Sequence, residues 1–218
     1  MVYSFRAVPV GVRYGAEPVE ARLREIRLED ETPDGGRAFR YNRQSATSMG
    51  RRIRTDNAPT KMIWQGPAGS VVPDFEDSYF LDISERARAL IEQIEPGVHQ
   101  FLPLDYVDRR GTLLEKRYMF VICNRIDSVD HARTTMILWR GVSWEPARSL
   151  MNDFPDDVPA GFDVTQEAKL VFSEAKSKGC HVWIDKHLAL AHLMSDEMAE
   201  AIRSAGLNGV ELSQRESI

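Results

Sequence analysis

The segment 82–97 carries the tightest local code in the chain. Ile83, Ala87, Leu90, Ile91 and Ile94 recur at helical spacing and mark one apolar face. Asp82 or Ser84 can cap the start, Asp82 with Glu85 three residues later in the manner of a capping box. Pro96-Gly97 stops the run. A second helix is predicted over about residues 195–205, with Ser195 or Asp196 as its cap. Met198, Ala201 and Ile202 form its apolar face and Gly206 ends it.

Between these helices the chain is rich in β-branched and aromatic residues. Val98–Pro103 reads as a strand, and Arg117–Asn124 and Thr134–Gly141 as two further strands joined by a polar turn region. Leu170–Ser173 and His181–Asp185 read as a second hairpin through Lys176-Ser177-Lys178-Gly179, and Val210-Glu211-Leu212 as a closing strand. A strand-rich middle with flanking helices indicates α+β rather than alternating βαβ units. The expected architecture is a central, mostly antiparallel sheet with flanking helices and an irregular N-terminal lobe.

The first 75 residues give weaker signals. Ser4–Val12 is apolar enough for an opening strand, and Val19–Leu28 suits a short helix or an edge strand. Turn-formers at Thr32-Pro33-Asp34-Gly35-Gly36 interrupt the pattern. The polar stretch Arg37–Thr60 reads as a surface excursion or a loosely attached lobe, followed by a short buried strand at Met62-Ile63-Trp64. At 218 residues a chain buries about 70% of its extended surface and needs no disulfide or structural metal. One domain over 1–218 is therefore expected, in which 1–73 can form an N-terminal lobe and 74–218 the core.

Chemistry-bearing residues are present, yet their spacing argues against a catalytic site. Cys180, His181, Asp185, His187 and His192 crowd into a short stretch, and His181, Asp185 and His187 could serve a metal-dependent hydrolase. No HExxH or paired CxxC accompanies them, and the interval from His187 to His192 suits neither a strand face nor a helical turn. Cys123 lies inside the apolar run Met119-Phe120-Val121-Ile122, where a thiol is an inert filler. Gly66-Pro67-Ala68-Gly69-Ser70 lacks the Lys-Ser/Thr of a phosphate loop. No catalytic residue, cofactor or metal is expected.

Charge is the informative property. The net charge is −5, unevenly spread. Arg37, Arg40, Arg43, Arg51, Arg52, Arg54 and Lys61 face only Asp56 between 37 and 61. Glu145, Asp153, Asp156, Asp157, Asp163 and Glu167 face only Arg148 between 145 and 167. Phe39 and Tyr41 among the arginines of 37–54 make a single-strand nucleic-acid module an alternative, which the acidic whole disfavours. The segments around Arg40, Arg43, Arg51, Arg52 and Arg54, and around Glu145, Asp153, Asp156, Asp157 and Asp163, are the candidate partner-binding surfaces. The opening residues lack the apolar run of a signal peptide, and no stretch approaches the roughly 18 apolar residues of a membrane helix. With two widely spaced cysteines, Cys123 and Cys180, the expectation is a cytoplasmic protein with reduced thiols.

The run Asp82-Ile83-Ser84-Glu85-Arg86-Ala87-Arg88-Ala89-Leu90-Ile91-Glu92-Gln93-Ile94-Glu95-Pro96-Gly97-Val98-His99-Gln100-Phe101-Leu102-Pro103 resembles the core signature of the eleventh numbered family of bacterial immunity proteins in polymorphic toxin systems. His181-Val182-Trp183-Ile184-Asp185-Lys186-His187-Leu188, Ser195-Asp196-Glu197 and Ala205-Gly206-Leu207-Asn208-Gly209-Val210 follow in matching order, so the resemblance spans about 74–215. It implies a cytoplasmic antidote that binds and neutralises a cognate toxin protein.

Overall fold

The computed structural model describes residues 1–8, 15–19, 23–37, 46–67, 69–188 and 191–218. Among these lie thirteen strands and three α-helices. The first half supplies β1 (Val2–Ala7), β2 (Ala16–Pro18), β3 (Lys61–Trp64), β4 (Phe75–Asp77), β5 (Leu81–Ser84), α1 (Glu85–Ile94), β6 (Gln100–Val107) and β7 (Leu113–Val121). The second half supplies β8 (Arg125–Ile126), β9 (Ile137–Trp139), β10 (Ser143–Glu145), α2 (Ala147–Asp153), β11 (Val182–Asp185), β12 (His192–Ser195), α3 (Asp196–Ser204) and β13 (Val210–Arg215). The fold is α+β, mostly sheet and mostly antiparallel.

The strands divide into a six-stranded sheet, β2-β3-β6-β7-β5-β4, a five-stranded sheet, β13-β1-β12-β11-β8, and the small hairpin β9–β10. Only β3–β6 and β8–β11 pair in parallel. Alternation along β7 shows how one strand serves two cores. Phe120 points into a core shared by both large sheets and the two helices, with Tyr3, Phe5, Ile83, Ile91, Ile184, Met194 and Ile202. Met119 and Val121 point the other way, onto a second core closed by Ile26, Leu28, Met49, Ile53, Met62 and Trp64. The six-stranded sheet is thus covered on both faces.

Both long helices start as expected. Ser84 and Ser195 accept the N–H groups of Ala87 and Met198, each at 3.2 Å. Ser84, not Asp82, therefore caps α1. Asp82 lies two residues earlier on β5, fully enclosed with Arg117 and Tyr106. Its Oδ1 accepts Arg117 Nε at 2.8 Å and its Oδ2 accepts the Tyr106 hydroxyl at 2.6 Å.

Strand pairing departs from the sequence reading. β7 pairs with β6 in a hairpin, not with the 134–141 segment. That segment contains β9, which turns back onto β10. β11 pairs with β12, whereas Phe172 makes only isolated bridges to Val129 and Ser217. The opening strand spans Val2–Ala7 and lies between β12 and β13; residues 9–12 of the expected strand fall outside the described residues. Of Val19–Leu28, the described part holds a 3-10 turn at Leu23–Glu25 and a single bridge from Leu28 to Ile53.

The arginine-rich stretch is less superficial than its polarity suggests. Ala46, Met49 and Ile53 are buried in the second core. The Gln100 side-chain amide pairs with the Ile53 backbone, accepting its N–H at 2.7 Å and donating to its carbonyl at 3.1 Å. Sparse apolar residues spaced along a polar segment suffice to fasten it when each finds a pocket.

Candidate partner-binding surface

The residues with catalytic potential are committed to the fold. Asp185 is fully buried. Its Oδ2 accepts the Ser128 N–H at 2.6 Å and hydroxyl at 2.8 Å, and its Oδ1 accepts the His187 N–H at 2.8 Å. The His187 ring meets the Val142 carbonyl at 3.0 Å through Nδ1, and His181 Nδ1 meets Ser195 Oγ at 3.1 Å. Among the described residues no three His, Cys, Asp or Glu side chains converge as metal ligands would. Both cysteines are free thiols. Burial pushes the Cys123 thiol up to about 11 and raises that of Cys180, the reverse of what a nucleophile needs.

Two arginines of the basic segment are matched by acids that precede it. Arg51 pairs with Asp34 at 3.0 Å and donates to the Thr32 carbonyl at 2.6 Å. Arg52 lies 3.6 Å from Glu29. Arg125 of β8 adds a second cation to Asp34 at 2.6 Å and reaches the carbonyls of Met49 and Arg37 at 3.1 and 2.8 Å. Partial burial pushes the Asp34 carboxyl up, but hydrogen bonds from Arg125 and from the Gly36 N–H outweigh it and hold it well below the usual range. Arg54 is exposed. Arg40 and Arg43 lie outside the described residues.

The acidic segment builds a different surface. Residues 127–181 connect β8 to β11, two parallel neighbours in one sheet. A parallel crossover needs only about a dozen residues, so most of this excursion is not required by the sheet. It folds into a lobe with a small core of Ile137, Ala147 and Leu150, flanked by Trp139, Val158, Phe162 and Val164. Glu145 lies half-buried on β10, accepting the Ser143 hydroxyl at 2.9 Å. Asp163 accepts the Thr165 hydroxyl and N–H at 2.6 and 2.9 Å. These bonds, the hydroxyl's first, keep its carboxyl low. Asp153 ends α2, Asp156 follows Pro155, and both are exposed.

Asp157 organises the neighbouring aromatics. Its Oδ2 accepts the Trp139 indole N–H at 2.7 Å and Arg140 Nη2 at 3.0 Å, and those bonds hold its carboxyl low. The Trp139 ring stacks on Phe154 with centroids 4.9 Å apart. The Arg140 guanidinium sits 4.7 Å above Trp139 and 5.9 Å from Phe154. The turn joining β9 to β10 closes through Val142 N–H to Trp139 carbonyl at 2.9 Å. Arg140 and Gly141 both have left-handed backbones there, φ 51° and 71°. Among the described residues Arg140 is the only non-glycine with positive φ, a conformation that costs on the order of 1–3 kcal/mol. Arg148 and Asn152 of α2 line, with residues 164–168, an open groove of about 430 Å³.

The sequence reading found the acids of this lobe and missed Trp139, Arg140, Met151 and Phe154. An Arg-Gly pair between two short apolar runs was the available signal for the turn. Nothing local shows that Trp139 and Phe154 meet.

A model of the immunity protein family Imm11 matches residues 20–217. The chain belongs to this family. The match reaches further toward the N-terminus than the 74–215 resemblance and includes the arginine-rich segment. No curated protein matches this Imm11 chain. No helix among the described residues is long and apolar enough to cross a membrane.

Proposed function

We propose that this Imm11 chain is the antidote of a polymorphic toxin system, binding a cognate toxin protein in the cytoplasm and neutralising it without catalysing a reaction. Family membership over nearly the whole chain carries the reading. The geometry supports it in two ways. The Asp185, His181 and His187 side chains bond within the fold, and the exposed Asp153, Asp156 and Asp163 with half-buried Asp157 give a charged face of the kind that accelerates association and selects partners. Between the two oppositely charged segments, the acidic one is favoured as the contact, because Arg51 and Arg52 already have acidic neighbours.

Co-expression with the toxin encoded beside this gene tests the function. Growth should be restored, and purified toxin should lose activity in proportion to added antidote until the two are equimolar. Failure to restore growth would sink the proposal. Inactivation at far below equimolar antidote would replace binding with an enzymatic mechanism.

A further inference from the structure

We infer that the Trp139–Arg140–Phe154 ridge is the anchor of the docking surface, and that its occupant is a protein face rich in lysine and arginine around an apolar socket. The inference rests on the antidote reading and names where, and to what, the chain binds. Three properties of the ridge carry it.

The first is composition and exposure. Phe154, Met151 and Val142 remain 44, 41 and 37% exposed, and the Arg140 side chain 63% exposed. Tryptophan and arginine dominate the energetic centres of protein interfaces, and phenylalanine and methionine are enriched in them.

The second is order. Asp157 fixes both the Trp139 indole and the Arg140 guanidinium through one carboxylate oxygen. The stacked rings and the tight turn leave few rotamers to lose, which lowers the entropic cost of docking. Arg140 keeps a backbone conformation that glycine would adopt without strain, so the turn itself requires no side chain there, and the exposed guanidinium's stacking over Trp139 and Phe154 is set against that strain.

The third is charge. Residues 137–168 hold six carboxylates and two arginines. Asp157 satisfies Arg140 internally, while the exposed Asp153 and Asp156 border Phe154 in the chain. An apolar centre with an anionic rim matches a basic protein surface and repels nucleic acid and anionic lipid.

The test uses the full chain and the purified toxin that it protects against, in a catalytically inactive form. Phe154→Ala is expected to weaken binding at least 30-fold, the loss typical of an anchor residue. Arg140→Gly, which suits the left-handed turn, should keep the thermal midpoint and circular dichroism of the wild type and still weaken binding at least tenfold. Combined Asp153→Lys and Asp156→Lys should slow association at least tenfold at low salt, with a smaller effect on dissociation. Arg54→Ala serves as a distant control with unchanged affinity. Ridge variants that all bind within twofold of wild type would overturn this surface and leave the antidote function standing, as would a loss confined to Arg54→Ala. A wild-type chain that neither binds nor protects would overturn both.

Discussion

Asp82 has no access to water, and its nearest cation, Arg117, is equally enclosed. Burial pushes its carboxyl up to about 7, against the pull of Arg117 and of the Tyr106 hydroxyl. In the unfolded chain the same group returns to an ordinary value near 4. Between those values the folded protein holds a proton that the unfolded chain releases. The stability contributed by Asp82 is therefore complete below about pH 4 and declines as pH rises to about 7. Asp34 has the opposite sign: its lowered carboxyl contributes stability above about pH 4 and loses it in stronger acid. The Asp34 window does not overlap that of Asp82, whereas Glu76, also raised by burial, shares it, so Asp82 is isolated by the difference between wild type and variant. Asparagine resembles the protonated acid, and Asp82→Asn should flatten the slope between pH 4 and 7 by up to roughly 1.4 kcal/mol per unit. Urea midpoints at pH 4, 5.5 and 7 read this directly; parallel profiles for wild type and variant would contradict it.

At the scale of elements, the two long helices were legible because their code is local. Each follows a strand directly, starts at a serine and carries apolar residues at helical spacing. Ser195→Ala removes the bond to Met198 N–H and the contact with His181 Nδ1 and is expected to cost about 1 kcal/mol. Ser84→Ala should cost more, because the second bond of Ser84 Oγ goes to the buried Asp74 carboxylate at 2.6 Å, shorter and charge-assisted where that of Ser195 to His181 is 3.1 Å; equal losses in thermal melts would refute the difference. Strand pairing was less legible, since β1 bonds to β12 and β13 nearly two hundred positions away. The β6–β7 hairpin did leave a trace: Asp108 Oδ1 accepts the N–H groups of Arg110 and Thr112, each at 2.8 Å, and Gly111 has φ 85°. Asp-Arg-Arg-Gly-Thr is thus a turn with a mechanism. For the site, net charge could be read residue by residue. The stacking of Trp139 on Phe154, and the matching of Arg51 by Asp34, arise only when distant segments meet.

Beyond their common apolar core, the two large sheets are joined by the bonds of Asp74 and Phe75 to Asn208 and by a buried carboxylate. Glu95 closes α1, and its side chain is almost fully buried. Oε2 accepts His99 Nε2 and the Val182 N–H, both at 2.9 Å. Oε1 accepts the Asn124 amide at 2.6 Å and the His181 N–H at 3.0 Å. His99 leads into β6 of one sheet, while Asn124 leads into β8 and Val182 lies on β11 of the other. Burial alone would raise this carboxyl, yet the bonds from His99, His181 and Val182 outweigh it and the shift is downward. Its contribution is therefore present above the ordinary carboxylate range and lost in acid. Glu95→Gln keeps the volume but replaces one acceptor oxygen by an N–H₂ group, which must then face a donor. A buried donor left without an acceptor costs about 1–3 kcal/mol, and more where charge assistance is lost as well. The variant should lower the urea midpoint at pH 7 by an amount that shrinks toward pH 4. Because the joint couples the sheets and not the strands within either one, the unfolding transition should also broaden, with a smaller urea dependence than wild type. A sharp, undiminished transition would show that the shared core and the Asn208 bonds make the two sheets unfold together without Glu95.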